Sequence, residues 1–419
     1  MLPPLIFFEL AKEKKAQTMQ QHVTRREMLL KTGAAISAMG ILTTIGRNAV
    51  PTLLADDAAS APKAMQKPRV ISHNTGHYYG WPTVGIRENG ELFVASSGMR
   101  EEHVCPFGTV DLIRSHDNGK TWTWHQTLLD GPIDDRDTGI CMTAKGSILV
   151  TTFTSLAYED RLKRAEAAEA AGTASWPKER LLKWQGVHNR ISAEQRKAEL
   201  GCWMIRSTDG GVTWSSRYST IVNSPHGPSQ LSDGRLIYAG KKLWDGGGVG
   251  VCESKDDGQS WQWLANIPVR EGDSEREYHE LHQIEAANGD IIVQIRNHNK
   301  ANDQENLQTE SSDGGKTWST PHTIGVWGIP SQLMRLRDDR LLMTYGHRRN
   351  PLGVQARISS DNGRTWGEPI VLYGDGVSGD LGYPSTVQLA DGSLLTVWYE
   401  AIGGKCVLQM LKWGLGIVG

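Results

Sequence analysis

The sequence predicts an all-β chain folded as a six-bladed β-propeller with a helical insertion in the second blade. Two interleaved repeat series predict it: an eight-residue pattern found five times, and a polar turn followed by a strand-like run found six times. Composition points the same way. Of 419 residues, 46 are Gly, and 15 Trp stand against 5 Phe, a balance expected of many tight turns plugged by aromatic rings.

The chain begins with a segment that does not fit the repeats. Residues 24–31 read Thr-Arg-Arg-Glu-Met-Leu-Leu-Lys, and a mildly apolar stretch runs on to about Ile45, broken by Lys31, Gly33, Ser37 and Gly40. Small residues follow, ending in Ala59-Ser60-Ala61. Paired Arg ahead of a short apolar core resembles a twin-arginine export signal, so residues 1–61 are set apart as a leader and the mature protein is expected in the periplasm or outside the cell. The apolar core is too short and too polar for a stable membrane span. Residues 68–419 remain for the propeller.

The first repeat series is S-x-D-x-G-x-[T/S]-W, at residues 115–122, 207–214, 254–261, 311–318 and 359–366. Each Asp (Asp117, Asp209, Asp256, Asp313, Asp361) is placed to accept backbone N–H bonds inside a tight turn, and the Gly two residues on supplies a positive φ. The Trp packs back on the sheet. The second series comprises Asn89-Gly90, Lys145-Gly146, Asp233-Gly234, Asn288-Gly289, Asp338-Asp339 and Asp391-Gly392, each followed by a β-branched apolar run such as DIIVQI or SLLTVW. Successive turns are 56, 88, 55, 50 and 53 residues apart. A period near 50 with several strands per repeat is that of a propeller blade. Six turns give six blades, and the missing sixth box falls where the termini close the ring. The 88-residue gap holds residues 156–200, rich in Ala, Glu, Lys, Arg and Leu and broken near 172–177; two helices on one loop are predicted there.

Propellers bind ligands where the innermost strands begin. Nine residues before the turn positions lie Trp81, Asp137, Pro225, Glu280 and Tyr383. Asp137, Glu280 and Tyr383 are therefore predicted to converge on one opening. Around them sit Arg100, Glu101, Glu102 and His103, then Asp134, Asp135 and Arg136, then His226, His279, His282, Arg296, His347, Arg348 and Arg349. A Tyr beside a carboxylate is a candidate nucleophile, several Arg suit an anionic substrate, and a further carboxyl suits protonation of a leaving group.

These residues resemble the sialidase (neuraminidase) superfamily. The repeated box is similar to the Asp box of those six-bladed propellers, and the likeness covers about residues 68–419. It implies a glycosidase acting on a terminal acidic sugar, with Tyr383 in Gly382-Tyr383-Pro384-Ser385 as nucleophile. Glu280 would be its base, Arg296 the second substrate-binding Arg, and Arg348 or Arg349 the third. The family's acid is an Asp in the loop after the first inner strand; here that loop carries Glu101, with Asp135 and Asp137 as competitors. The resemblance also implies an Arg where this sequence has Gly80, in Gly80-Trp81-Pro82. Either Arg100 or Arg136 substitutes for it, or the substrate is not sialic acid. The mouth is also rich in His (His103, His226, His282), which the family pattern does not include.

Two other functions stay open on the sequence. One is a lyase or unusual glycosidase on a uronate polymer, with the His residues and Tyr383 moving protons. The other is a non-catalytic glycan-binding propeller that uses Trp81, Trp244 and Trp327. No cofactor is expected, since no Gly-rich phosphate loop opens a helix, and no metal, since His279-Glu280-Leu281-His282 lacks a helical ligand spacing. A net charge of −2 gives no reason to bind nucleic acid. The five Cys, with no C-x-x-C pair, are expected to be small buried hydrophobes.

Overall fold

The computed structural model describes residues 67–73, 76–302 and 305–415. The export leader assigned to residues 1–61 lies outside them. Six four-stranded antiparallel sheets form the six blades, the first five each built from four strands consecutive in sequence. They span residues 78–129, 134–219, 229–266, 278–327, 331–373 and 381–413, in blade order. The sixth blade has three strands of its own. Its fourth is Arg69–Val70, which pairs antiparallel with Lys405–Trp413 through Arg69 opposite Met410 and Val70 opposite Gln409. The N-terminal end of the propeller thus closes the ring, and the missing box is the turn that the chain termini interrupt.

The boxes fold as their chemistry dictates. In the first, Asp117 Oδ1 accepts the Thr121 N–H at 2.9 Å and Asp117 Oδ2 the Thr121 hydroxyl at 2.7 Å, while Ser115 Oγ accepts the Gly119 N–H at 2.9 Å. Each box Gly also abuts the second strand of the preceding blade. A Cβ on Gly258 would stand 2.5 Å from Leu149 Cδ1, and one on Gly363 2.5 Å from Ile292 Cδ1. These glycines therefore answer two demands, a positive φ (+81° at Gly258) and close approach between blades. Gly258→Ala is expected to lower stability by roughly 2–3 kcal/mol. Gly90→Ala, at a φ of +83° with open space around it, should lose only the backbone contribution of about 1 kcal/mol. Denaturant unfolding of the two variants checks the difference.

The core lies between blades rather than in one central mass. Leu92, Val94, Val387, Leu395 and Val397 share a cluster across blades one and six, and Ile237, Val251, Ile291 and Val293 one across blades three and four. All five Cys are free thiols and buried, as expected. No helix among the described residues is long and apolar enough to cross a membrane.

The insertion emerges between the second and third strands of blade two, where it was predicted, with three helices rather than two: α1 (Glu159–Ala170), α2 (Lys178–His188) and α3 (Ala193–Ala198). Ser192 accepts the Gln195 N–H while the Gln195 side chain accepts the Ser192 N–H, a reciprocal cap that starts α3. The Ser-x-x-Gln spacing that forms it was readable in the sequence.

Candidate functional site

Four inner strands carry the same irregularity. Strand pairing slips between Gly80 and Thr83, between Arg136 and Gly139, between Tyr278 and Leu281, and between Gly382 and Ser385. Trp81, Asp137, Glu280 and Tyr383 each sit inside one of these bulges. Trp81, Asp137 and Tyr383 adopt left-handed φ of 54°, 42° and 52°, which non-Gly residues rarely do. A bulge re-aims a side chain that regular pleating would direct elsewhere. Three of the four bulged residues therefore hold a strained backbone, Glu280 being the exception.

Tyr383 and Glu280 meet. The Tyr383 hydroxyl donates to Glu280 Oε1 at 2.6 Å, and Arg296 Nη1 donates to both Glu280 oxygens at 2.9 and 3.0 Å and to Tyr383 Oη at 3.1 Å. Tyr383 is almost fully buried, with Glu280 and Arg296 slightly more open. Burial raises the Glu280 carboxyl, but Arg296 and the Tyr383 hydroxyl outweigh it and hold Glu280 well below the ordinary range. Burial and the Glu280 charge push the Tyr383 phenol well above 10. At rest the proton therefore stays on the phenol.

Asp137 lies close enough to feel the Glu280 charge. Its carboxyl is raised to about 7, mainly by burial; Arg136 lowers it and the Glu280 charge raises it again. Its neighbours in sequence are otherwise engaged. Asp134 forms a fully buried bidentate pair with Arg100 (2.7 and 3.0 Å), and Asp135 Oδ2 accepts the Gly131 N–H at 2.6 Å.

The arginines divide. Arg348 Nε donates to the Leu381 carbonyl at 2.8 Å and Nη2 to the Tyr399 hydroxyl at 3.2 Å, with its guanidinium carbon 6.0 Å from the Tyr383 ring centre. Arg349 turns away, is exposed, and stacks on Trp327 at 3.8 Å. Arg100 is locked under Trp81 by Asp134, so it is not a free clamp residue. Arg136 lies 4.9 Å from the centre of Trp81, and its Nε has no partner.

Three expectations are corrected. Glu101 is not gathered with Tyr383: Lys183 (2.5 Å) and Trp184 Nε1 (2.8 Å) take up its carboxylate, and they hold its pKa down despite partial burial. Glu102 pairs with Arg180 (2.6 Å) and Arg161 (3.1 Å). Arg180, Lys183 and Trp184 share one face of α2, so the insertion grips the loop that carries His103. His226 and His282 are buried, at 2 % and 6 % exposed, and are not open to a ligand. Their rings meet edge-to-face at 5.4 Å, and His282 Nδ1 accepts the Leu333 N–H at 3.0 Å. Burial lowers His226 to about 3 and also holds His282 well below its ordinary value, so both are neutral. Trp81 is 2 % exposed, covered by Tyr78, His103 and Tyr399, and offers no open face to a sugar.

Sequence reasoning missed Asp380 and Tyr78. Asp380 Oδ1 receives the Tyr78 and Tyr399 hydroxyls at 3.1 Å each and lies 3.2 Å from His103 Nδ1. Asp380 was signalled only by its position just before the Tyr383 strand (Leu381–Gln388), and Tyr78 only by opening the inner strand of blade one (Tyr78–Ile86). Nothing in the sequence signalled that the His279 and His298 rings would meet, tilted at 45° with their centres 4.4 Å apart.

Six antiparallel blades, five of them carrying an Asp-box turn and the sixth closed by the N-terminal strand, define a BNR-repeat β-propeller of the fold that sialidases share. The chain belongs to the BNR repeat-like domain family, whose model matches residues 151–396. No curated protein matches it significantly. Among solved structures it is similar to a protein of unknown function from Dyadobacter fermentans, at 23% identity and a TM-score of 0.66, covering 84% of this chain and 98% of that one. It is also similar to the NanB sialidase of Streptococcus pneumoniae (15%, TM-score 0.57, 84% and 70%). The Trypanosoma rangeli sialidase gives 17% and 0.52, covering 80% of this chain and 55% of that one. At these identities the likeness is one of fold.

Proposed function

We propose that this protein is an exported exo-glycosidase that releases a terminal acidic sugar from glycans. One observation carries the reading: a buried phenol donates at 2.6 Å to a carboxylate that shares a guanidinium with it. Tyr383 Oη attacks the anomeric carbon as the bond to the leaving oxygen breaks, and its proton passes to Glu280. Glu280 is the weaker base at rest, so this transfer becomes favourable only as the phenol oxygen commits its electron pair to carbon. Asp137, protonated near neutrality, gives its proton to the leaving oxygen. Water then cleaves the sugar–tyrosine bond, with Asp137 taking the water proton and Glu280 returning one to Tyr383. Arg296, Arg348 and Arg136 are the guanidinium groups suited to the substrate carboxylate. With Gly80 in place of an Arg, Arg136 has to supply the third contact.

A second reading draws on the His103–Asp380 pair. An imidazole oriented by a carboxylate suits proton abstraction beside a uronate carboxylate, hence β-elimination. A screen of sialyl, ketodeoxy-acid and uronate glycans separates the readings. Release of a free acidic sugar supports the hydrolase, and unsaturated ultraviolet-absorbing products support the lyase. Binding without turnover on every glycan would overturn both.

A further inference from the structure

We propose that Glu277, His279 and His298 form a binding site for one divalent transition-metal ion beside the mouth, and that filling it releases the Arg296 Nε–H toward the substrate. The second half rests on the glycosidase reading above; the first does not.

The backbone brings these three residues together. Glu277 ends a short 3-10 turn (Glu275–Glu277), and His279 is the second residue of the inner strand of blade four that follows it (Tyr278–Glu285). Tyr278, between them, is fully buried and sends its hydroxyl to Asp273 at 2.7 Å. His298 follows the neighbouring strand (Ile291–Asn297), and its N–H donates to the Glu277 carbonyl at 2.8 Å, which fixes it opposite the pair. One carboxylate oxygen and one nitrogen from each ring lie within 4.8 Å of one another. Metal bonds of about 2.1 Å place ligand atoms about 3–3.5 Å apart, a distance small rotamer changes reach from here. Two imidazoles and a carboxylate favour zinc, cobalt, manganese or iron over calcium or magnesium.

The coupling follows from electron counting. A neutral imidazole has one ring lone pair to give. In His298 it sits on Nε2, which accepts the Arg296 Nε–H at 2.8 Å. A metal ion bound through Nε2 takes that lone pair directly. Bound through Nδ1, it forces the ring proton onto Nε2, where it faces the Arg296 N–H. Either way the hydrogen bond is lost, while Arg296 Nη1 keeps Glu280. Arg296 and the ion therefore compete for His298. Lys241 adds positive charge nearby, but its ammonium is already held by the Arg276 and Tyr278 carbonyls at 2.6 and 2.9 Å.

The test is calorimetric titration of chelator-treated full-length protein with Zn2+ and Co2+, with Co2+ absorption reporting the ligand field. One equivalent is expected. His279→Asn and His298→Asn should each weaken binding roughly 100-fold, Glu277→Gln about 10-fold, and His322→Asn, beside Glu310 in another part of blade four, should leave it unchanged. Arg296→Gln should tighten it about 10-fold, a gain that a purely structural His pair does not predict. Circular dichroism confirms folding of each variant. No binding by wild type, or undiminished binding by His279→Asn/His298→Asn, overturns the site. Unaltered affinity in a folded Arg296→Gln protein overturns the competition. A protein that turns over no glycan yet binds one ion at these residues keeps the site and loses only the glycosidase reading.

Discussion

Tyr383→Phe is expected to lower kcat for glycan release roughly 1,000-fold or more while leaving the fold intact. The substitution removes one oxygen and nothing else. The ring stays packed against Tyr399 (centres 5.8 Å apart) and Trp81 (6.4 Å), with the Arg348 guanidinium still near its face. Glu280 loses the 2.6 Å phenol bond but keeps both contacts from Arg296 Nη1, so its charge remains compensated. Loss of one hydrogen bond should change stability by about 1 kcal/mol. KM should move little, because the arginines and not the phenol hold the substrate. Steady-state kinetics alongside thermal unfolding separate the two effects, and a folded variant retaining a tenth of wild-type kcat would remove the phenol from the chemistry.

Asp137→Asn carries the second large effect, and it is legible in a pH profile. With its carboxyl raised to about 7, wild-type kcat should fall as pH rises through 7, because the acid is then deprotonated. The variant should lose roughly 100- to 10,000-fold in activity on glycans with poor leaving groups, far less on activated aryl glycosides, and should lack this alkaline limb. Asn tolerates left-handed φ better than most residues, so the 42° backbone at this position survives the change. Stability gives an independent sign. A carboxyl whose folded pKa lies above its unfolded value of about 4 favours the fold fully below pH 4 and loses that contribution as pH rises toward 7. The melting temperature of Asp137→Asn, relative to wild type, should therefore improve from pH 4 to pH 8. An unchanged difference would place Asp137 in a less buried state than the structure gives it.

Much of the site was readable because the blades repeat. Counting nine residues back from each turn aligned Asp137, Glu280 and Tyr383, and in the folded chain Tyr383 bonds Glu280 while Asp137 lies close enough to feel the Glu280 charge. That the aligned positions are bulged, with Trp81, Asp137 and Tyr383 at positive φ, was not readable, since nothing in a Trp, Asp or Tyr signals left-handed backbone. Arg348 and Arg349 could not be told apart, because adjacent residues after a strand point in directions that loop geometry decides. Glu101 looked like an acid on the likeness of its loop, but its environment comes from α2, 82 and 83 residues away. His226 and His282 looked like mouth residues because they stand beside aligned positions. One step from Pro225 and two steps from Glu280, the two side chains are buried instead, and burial keeps them neutral.

What the sequence determined by itself is whatever local chemistry repeats: six strand-turn units, five Ser–Asp–Gly turns with their Trp, and the blade that receives the insertion. These depend on hydrogen bonds spanning a few residues and on apolar runs that need only a sheet to bury them. The tertiary structure alone decided which charged groups face one another. Tyr383 reaches Glu280 across 103 residues and Arg296 across 87, contacts that exist only once the ring has closed and bulged strands aim at a shared centre. Charge pairing at that range is set by where whole blades sit, and no short stretch of sequence records it.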